Sequence, residues 1–377
     1  MIIDRIDLNH VVIPLKHRFT TSFGTVKDRH IVIGKFSSDI GETYAESPTL
    51  HAPLYTAETI DSVILAVRNH LGPAVMGHAI STPDELHDRM SWVRGNAMAK
   101  HLIDTAAYHL FSAHEGVSLA SYLGGHAQRV PVGLSVGIEK DHESMLERIA
   151  WAVEEGFERV KIKIKPGHDI DPVSRVRDRF PDLPLMVDAN AAYTIDDLDV
   201  FRALDSYRLM MIEQPFAEDD LYDHALLQGA ITTPICLDES ISSPNLARQA
   251  RSLGACRIIN IKPGRIGGFY PSLQLRDIAR SPSDRDPIDL WIGGMAETSI
   301  GKYDAIALAS VDGIGFPSDI GPSSWYFHED IADPTYSIEH GAIAVPQGVG
   351  VGYEVRENIL ERFTHARSTI TTSDARR

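Results

Sequence analysis

Three acidic residues recur at one interval in this chain: Asp188, Glu213 and Asp238 are spaced 25 residues apart. Each closes a short apolar run, LMVD, LMMIE and ICLD, so each stands where a strand gives way to the next segment. Lys163 precedes Asp188 by the same 25 residues, and Lys262 follows Asp238 by 24. If one strand and one helix fill that interval, all five charged groups converge on one face. Converging carboxylates repel and raise one another's pKa, and a bound cation relieves this. Oxygen-only donors select a hard ion, with Mg²⁺ the expected cofactor and Mn²⁺ the alternative. Any one of the acids alone also fits a helix N-cap, and either lysine alone a structural ion pair; even spacing and the apolar approach to each acid favour the ion site. A lysine buried beside a dication is pushed toward neutrality by like charge and burial, which suits it to act as a base. A cation that holds a carboxylate, with a base on each side of the bound carbon, predicts proton abstraction α to that carboxylate through an enediolate stabilised by the ion.

Such convergence needs a scaffold. Between about residues 129 and 320, RVPVGLSVGI, RVKIKIK, LPLMVDAN, YRLMMIEQP, TPICLDES, RIINIKPG, DLWIGGMAET and GIGFPSDI read as eight strands. Segments such as HESMLERIAWAVEEG and SPNLARQARSLG between them carry helical spacing. Strands alternating with helices pair in parallel, and eight units predict a (β/α)8-type barrel whose catalytic face is the carboxyl end of its strands. An open doubly wound sheet would carry a glycine-rich phosphate turn after its first strand, which SVGIEKDHE does not supply. Lys161, Lys163 and Lys165 alternate along one strand and are expected to point inward, leaving Lys163 and Lys165 both open as the second lysine of the pair.

Residues 1–125 read as an α+β domain: alternating strands, then helical stretches around 56–71, 83–93 and 99–113. Its loops carry Phe19, Phe23 and Tyr55, expected as a cover that keeps water from the barrel mouth. The barrel is assigned to 126–320, and 321–377 is expected to return to the capping domain and end in a frayed polar tail. With 52 acidic against 36 basic residues and a net charge of −16, no broad basic surface is left for nucleic acid. The opening MIIDRIDLNHVVIPLK lacks the pattern of a signal peptide, no apolar stretch reaches membrane-spanning length, and two cysteines make no disulfide framework, so a cytoplasmic location is expected. Cys236 is expected to be a small core residue.

In family order and spacing, PLKHRFTTSFGT, GLSVGI, KIKIKPGHD, VDAN, IEQP, ICLDES, NIKPGRIGG and GGMAET resemble the enolase superfamily. The resemblance is to its muconate-lactonizing branch and, within that, the o-succinylbenzoate synthase / N-acylamino acid (N-succinylamino acid) racemase family. It covers nearly the whole chain. It implies a modified TIM barrel with an α+β capping domain formed by the N-terminal part and the C-terminal segment. Mg²⁺-assisted chemistry with a lysine base is a known property of that superfamily and comes with the resemblance. So do Asp188, Glu213 and Asp238 as metal ligands, Lys163 and Lys262 as the catalytic pair, and Ser135, Lys161, Asn190, Gly294, Met295, Phe19 and Phe23 around a small-molecule carboxylate substrate. A homo-oligomer, from dimer to octamer, is expected. Racemisation of N-acyl or N-succinyl amino acids and dehydration to o-succinylbenzoate in the menaquinone pathway share such a site. Muconate-type cycloisomerisation, dipeptide epimerisation and a non-catalytic carboxylate-binding barrel are the alternatives; the epimerase would carry an Asp-x-Asp pair where GFPSDI offers only Asp319. His168 in place of a common Trp, Ala296 in place of a larger apolar residue and PSDI in place of a PGDT-like run bear on side-chain and acyl specificity.

Overall fold

The computed structural model describes residues 1–21, 24–282 and 286–375. Alternation of apolar and polar residues in the first segment builds an antiparallel sheet of Thr364–Thr371, Ile3–Thr21, Gly24–Ser38 and Gly41–Ser47, in that order. Ile6 and Leu8 face a core beneath the helix Ala97–His114. Beyond a register shift at His10/Val11, Val11 and Ile13 pack with Phe327, Ile331 and Leu360 from the C-terminal segment. Both faces of the sheet are thus covered. Part of the polar run departs from expectation: Ser368 to Thr371 pair with Leu8 to Arg5 and Ile370 is buried, so these residues form an edge strand of the cap, followed by a helical turn over Thr372–Ala375, while residues 376 and 377 lie outside the described residues. The strand's polar residues suit an edge, where one side meets solvent.

The second sheet has seven parallel strands in sequence order: Gly133–Val136, Arg159–Lys163, Leu185–Asp188, Ile212–Glu213, Ile235–Leu237, Ile258–Ile261 and Asp289–Ile292. The barrel with its capping domain is therefore the fold, with two local corrections. RVPVGLSVGI splits, because Arg129–Pro131 leaves the barrel to pair antiparallel with Ala342–Ala344. The eighth run forms no regular strand. Ser318 bridges Val132, its amide reaches Pro131 O at 3.0 Å, and Asp319 N reaches Ile292 O at 2.9 Å, so the segment closes the gap between first and seventh strands. Pro317 has no N–H to give a ladder, which keeps this closure to isolated bonds.

Period-two alternation sorts the barrel strands. Val160, Ile162, Val187, Ile212, Ile235, Leu237, Ile259 and Ile261 join the large core shared with the helices. Met186, Met211, Cys236, Ile258 and Trp291 form a separate cluster that floors the barrel. Two residues further along the same faces stand Asp188, Glu213, Asp238 and Asn260. Hydrophobic residues thus hold up a row of charge. Cys236 is a free buried thiol in that floor, taking Trp291 Nε1–H at 3.3 Å.

Buried caps lock the two domains together. Glu46, from Gly41–Ser47, accepts the amides of Thr298 and Gly301 at the start of the helix Ser299–Ala309. Asp104, from Ala97–His114, accepts the amides of Phe269 (2.5 Å) and Tyr270 (3.3 Å) at the start of Phe269–Arg280. Gly268, at φ 124, is needed there, since a Cβ would lie 2.2 Å from Asp104 Oδ2. Burial pushes the Asp104 and Glu46 carboxyls up to about 8, and pushes His101 down to about 4. A carboxyl raised in the fold binds more protons folded than unfolded, so its contribution is complete at acid pH and is lost as pH rises from about 4 through about 8. His101 acts oppositely, losing its contribution as pH falls below about 6.5. The thermal midpoint is therefore expected to decline between about pH 6.5 and 8, with a flatter decline in Asp104→Asn, whose amide oxygen still accepts both amides. Calorimetry across that range checks this, and an equally steep slope in the variant contradicts it.

No helix among the described residues is long and apolar enough to cross a membrane.

Candidate active site

The acids arrive together because their strands are neighbours in register. Asp188 pairs with Glu213 and Glu213 with Cys236, which sets Asp238 two residues further along the next strand. All three are buried. Gln214 fixes the spacing of the last two, its Oε1 accepting Asp238 N at 2.9 Å and Ser240 N at 3.3 Å.

Each acid is met by a cation of the chain. Lys163 Nζ donates to Asp188 Oδ2 at 2.6 Å and to Asn190 Oδ1 at 2.5 Å. Lys262 Nζ donates to Asp238 Oδ2 at 2.8 Å and lies 4.6 Å from the centre of the Tyr55 ring. Lys161 Nζ reaches Glu213 at 3.0 Å, Asp188 at 3.4 Å and Asp319 at 2.7 Å. The two outer lysines bracket the row, and their side chains are 31% and 14% exposed against 7% for Lys161, so Lys163 and Lys262 are the ones open to the mouth.

Lys165 is not brought to the acids. Its strand ends at Lys163, and Lys165 is exposed in a turn closed by its amide on His168 O at 3.1 Å, with Gly167 at φ 79 supplying the bend. The expectation that three lysines share the inner face therefore holds for two. Burial works to lower the Lys262 ammonium, yet Asp238, with Tyr55 and Glu239, outweighs it and holds the group above the ordinary lysine range. Lys161 is likewise held up by Asp319, Glu213 and Asp188 against its burial. As arranged here, ion pairing reverses the lowering expected beside a dication.

Ser135 Oγ donates to Asp319 Oδ2 at 3.0 Å, and Asn190 Nδ2 to Glu239 Oε1 at 3.2 Å, so both join the charged network. Gly294 abuts it: a Cβ there would lie 2.5 Å from Asp319 O. Met295 packs against the core of the capping domain, its amide on Glu297 Oε1 at 2.8 Å. The side chain of Phe19 and the whole of Phe23 lie outside the described residues.

Several members are not evident from spacing. Tyr55, expected as part of a cover over the barrel mouth, donates to Asp238 Oδ1 at 3.2 Å and accepts from Arg265 Nη1 at 2.5 Å; Arg265 also pairs with Asp238. Asn260 Nδ2 donates to Glu213 Oε1 at 2.7 Å. Arg159 pairs with Asp319 at 2.5 Å over the Trp291 ring. Arg159 sits two residues before Lys161, so the alternation that marked Lys161 marks it as well.

As placed, no three His, Cys, Asp or Glu side chains among the described residues stand together in a group able to hold a metal ion. The donors nevertheless fit a hard cation. Burial, and then Asp188, push the Glu213 carboxyl up to about 7. Burial, and then Asp238, push Glu239 up to about 8, and its Oε2 is buried without a hydrogen-bond partner. Burial works to raise Asp188 and Asp238 as well, but Lys163 and Lys262 outweigh it and hold both below the ordinary carboxylate range, so the shortfall of positive charge is confined to Glu213 and its neighbour Glu239. The oxygens an ion would take on Asp188 and Glu213 are occupied by lysine ammoniums on flexible stems, which can swing away.

Residues 144–359 match the enolase C-terminal domain-like family. The chain is 40% identical over 363 residues to an o-succinylbenzoate synthase of Geobacillus kaustophilus, covering 96% of each chain. It is 38% identical over 364 residues to an N-succinylamino acid racemase of Thermus thermophilus, covering 97% of this chain and 98% of that one. A crystal structure of an enolase superfamily member from Listeria innocua superposes with a TM-score of 0.94 at 37% identity, covering 99% of this chain and 100% of that one.

Proposed function

Because the chain belongs to the enolase superfamily, as an enzyme of its o-succinylbenzoate synthase and N-succinylamino acid racemase family, we propose that it abstracts the proton α to a substrate carboxylate and returns it from either side. Racemisation of N-succinyl or other N-acyl amino acids is the favoured reaction. The observation that carries this is the bracketing of one carboxylate row by two ammoniums open to the mouth, Lys163 on Asp188 and Lys262 on Asp238. Deprotonated, one lysine takes the α proton while the other, protonated, delivers its own to the opposite face, which inverts the centre. Asp188, Glu213 and Asp238 are the residues that would hold Mg²⁺, with Mn²⁺ as substitute. Held there, the ion would supply positive charge to the substrate carboxylate as electron density builds on it. Lys161 would donate to that carboxylate, and Asn190, whose Oδ1 accepts from Lys163 Nζ, would orient Lys163.

Dehydration to o-succinylbenzoate is a second reaction of the same site, supported by relatives of that name at 40% identity. It uses one lysine to take the proton and return it to the departing hydroxyl, the other to steady charge. Dipeptide epimerisation is disfavoured, since the eighth segment offers only Asp319 where a substrate ammonium would need an Asp-x-Asp pair, and that one carboxylate is already engaged by Arg159, Lys161 and Ser135. The same reading makes the partner a small carboxylate and the protein a cytoplasmic homo-oligomer.

Incubation with Mg²⁺ and N-succinyl amino acids in heavy water tests the proposal. The α proton is expected to exchange from both enantiomers as optical rotation decays. No exchange across a broad acyl-amino acid panel, together with no turnover of the menaquinone-pathway precursor, refutes it.

A further inference from the structure

Lys161 is the most enclosed of the site's ammoniums and the only one shared by three carboxylates. Two of the three, Asp188 and Glu213, belong to the row that the proposed function assigns to an ion. The third and nearest, Asp319 at 2.7 Å, lies outside the row on the segment that closes the barrel. Asp319 is itself held firmly. Arg159 Nη2 donates to its Oδ1 at 2.5 Å and Arg159 Nε to Pro317 O at 3.1 Å, while Ser135 Oγ donates to its Oδ2 at 3.0 Å. Gly133 makes room for this arrangement, since a Cβ there would lie 2.3 Å from the Arg159 guanidinium. Trp291 lies beneath both cations, 4.8 Å from Arg159 and 5.1 Å from Lys161.

We propose that Asp319 is a positioning residue that keeps Lys161 in the pocket while Asp188 and Glu213 exchange their lysine partners for a divalent ion. Resting on the metal-assisted reading above, this follows from charge and geometry. When an ion takes the row's oxygens, Lys161 loses two of its three partners and meets a like charge at short range. A buried ammonium without a carboxylate is costly, so it either holds the row against the ion or needs another anion. Asp319 is that anion, anchored from the far side by Arg159 so that it stays where Lys161 can remain on it.

Mn²⁺ titration followed by electron paramagnetic resonance tests this without substrate. Asp319→Asn is expected to weaken Mn²⁺ binding about tenfold or more, while in a Lys161→Met background the same change weakens it by no more than about twofold. Ser135→Ala, which keeps the charge and removes one tether, is expected to shift binding in the same direction by less, and serves as well if Asp319→Asn fails to fold. Asp319→Glu restores part of the affinity. Equal weakening in both backgrounds overturns the proposal, because it is what the loss of a remote negative charge alone would give; so does unchanged binding in both Asp319→Asn and Ser135→Ala. A parent protein that binds no Mn²⁺ overturns it together with the metal assignment. A parent that binds Mn²⁺ but exchanges no α proton fails only the reaction, and the double-mutant comparison still decides the role of Asp319.

Discussion

Lys262→Ala is expected to abolish racemisation, with kcat/KM falling by about 10³-fold or more, toward the upper range for loss of a positioned acid–base group. Lys163→Ala is expected to do the same. The two differ in what survives. Each lysine serves one face of the α carbon, so a variant lacking Lys262 can still deprotonate the enantiomer whose proton faces Lys163, and the reverse holds for the other. Proton exchange with heavy water is therefore expected to persist for one enantiomer in each variant, the opposite one in the two cases, while inversion is lost in both. Nuclear magnetic resonance on separate enantiomers reads this directly. Racemisation that continues in either variant overturns the two-base mechanism. Folding is not expected to interfere with the Lys262 variant, because Asp238 retains Arg265 and Tyr55 as partners. Lys163 is the more exposed of the two, and its removal leaves Asp188 with Lys161.

Removal of the ion is the second large effect. Exhaustive chelation is expected to take turnover below detection, with return on adding Mg²⁺ or Mn²⁺ and none on adding a monovalent salt. Glu213→Gln separates this from general damage. Glu213 is fully buried, between Lys161 and Asn260, and burial opposes its charge. Replacing this carboxylate by an amide of the same shape removes the charge and turns an N–H onto Lys161 or Asn260, a cost in stability that is present with or without metal. It removes an anionic ligand, so activity is expected to fall by about 10³-fold, comparable to other losses of a preorganised electrostatic group. Ligand binding raises the melting midpoint in proportion to ln(1 + [L]/Kd). Mg²⁺ is thus expected to raise the parent's midpoint above its value in chelator and to leave that of Glu213→Gln nearly where chelator leaves it. A variant stabilised by Mg²⁺ as much as the parent would remove Glu213 from the ligand set.

The tether at Asp319 bears on these outcomes. If Lys161 is held by Asp319 when an ion binds, the lysines of the site divide their work, Lys161 facing the carboxylate while Lys163 and Lys262 exchange protons. Arg265 and Tyr55 act at the opposite end, holding Asp238 where Lys262 can reach it. The capping domain contributes Tyr55 directly, so the site draws on both domains.

Much of this was legible in the chain itself. A strand and its helix consume a nearly constant length, so an interval of 25 residues places Asp188, Glu213 and Asp238 at the ends of adjacent strands whatever lies between them. Alternation along a strand then puts Met186 and Asp188, Cys236 and Asp238, and Arg159, Lys161 and Lys163 on one inner face. These are local rules, and local sequence is sufficient for them. What the tertiary structure decided are relations between distant segments. Lys165 leaves the inner face because the strand stops at Lys163 and turns through Gly167. The eighth run closes the barrel with isolated bonds because Pro317 has no amide hydrogen to give. Ser368 to Thr371 of the polar run become a strand because the edge beside Ile3–Thr21 is open to them. Tyr55 reaches Asp238 across 183 residues, and Asp319 reaches Lys161 only after the barrel closes. Those pairings depend on which buried charge is left needing a partner once the chain is folded, and no pattern within one segment carries that information.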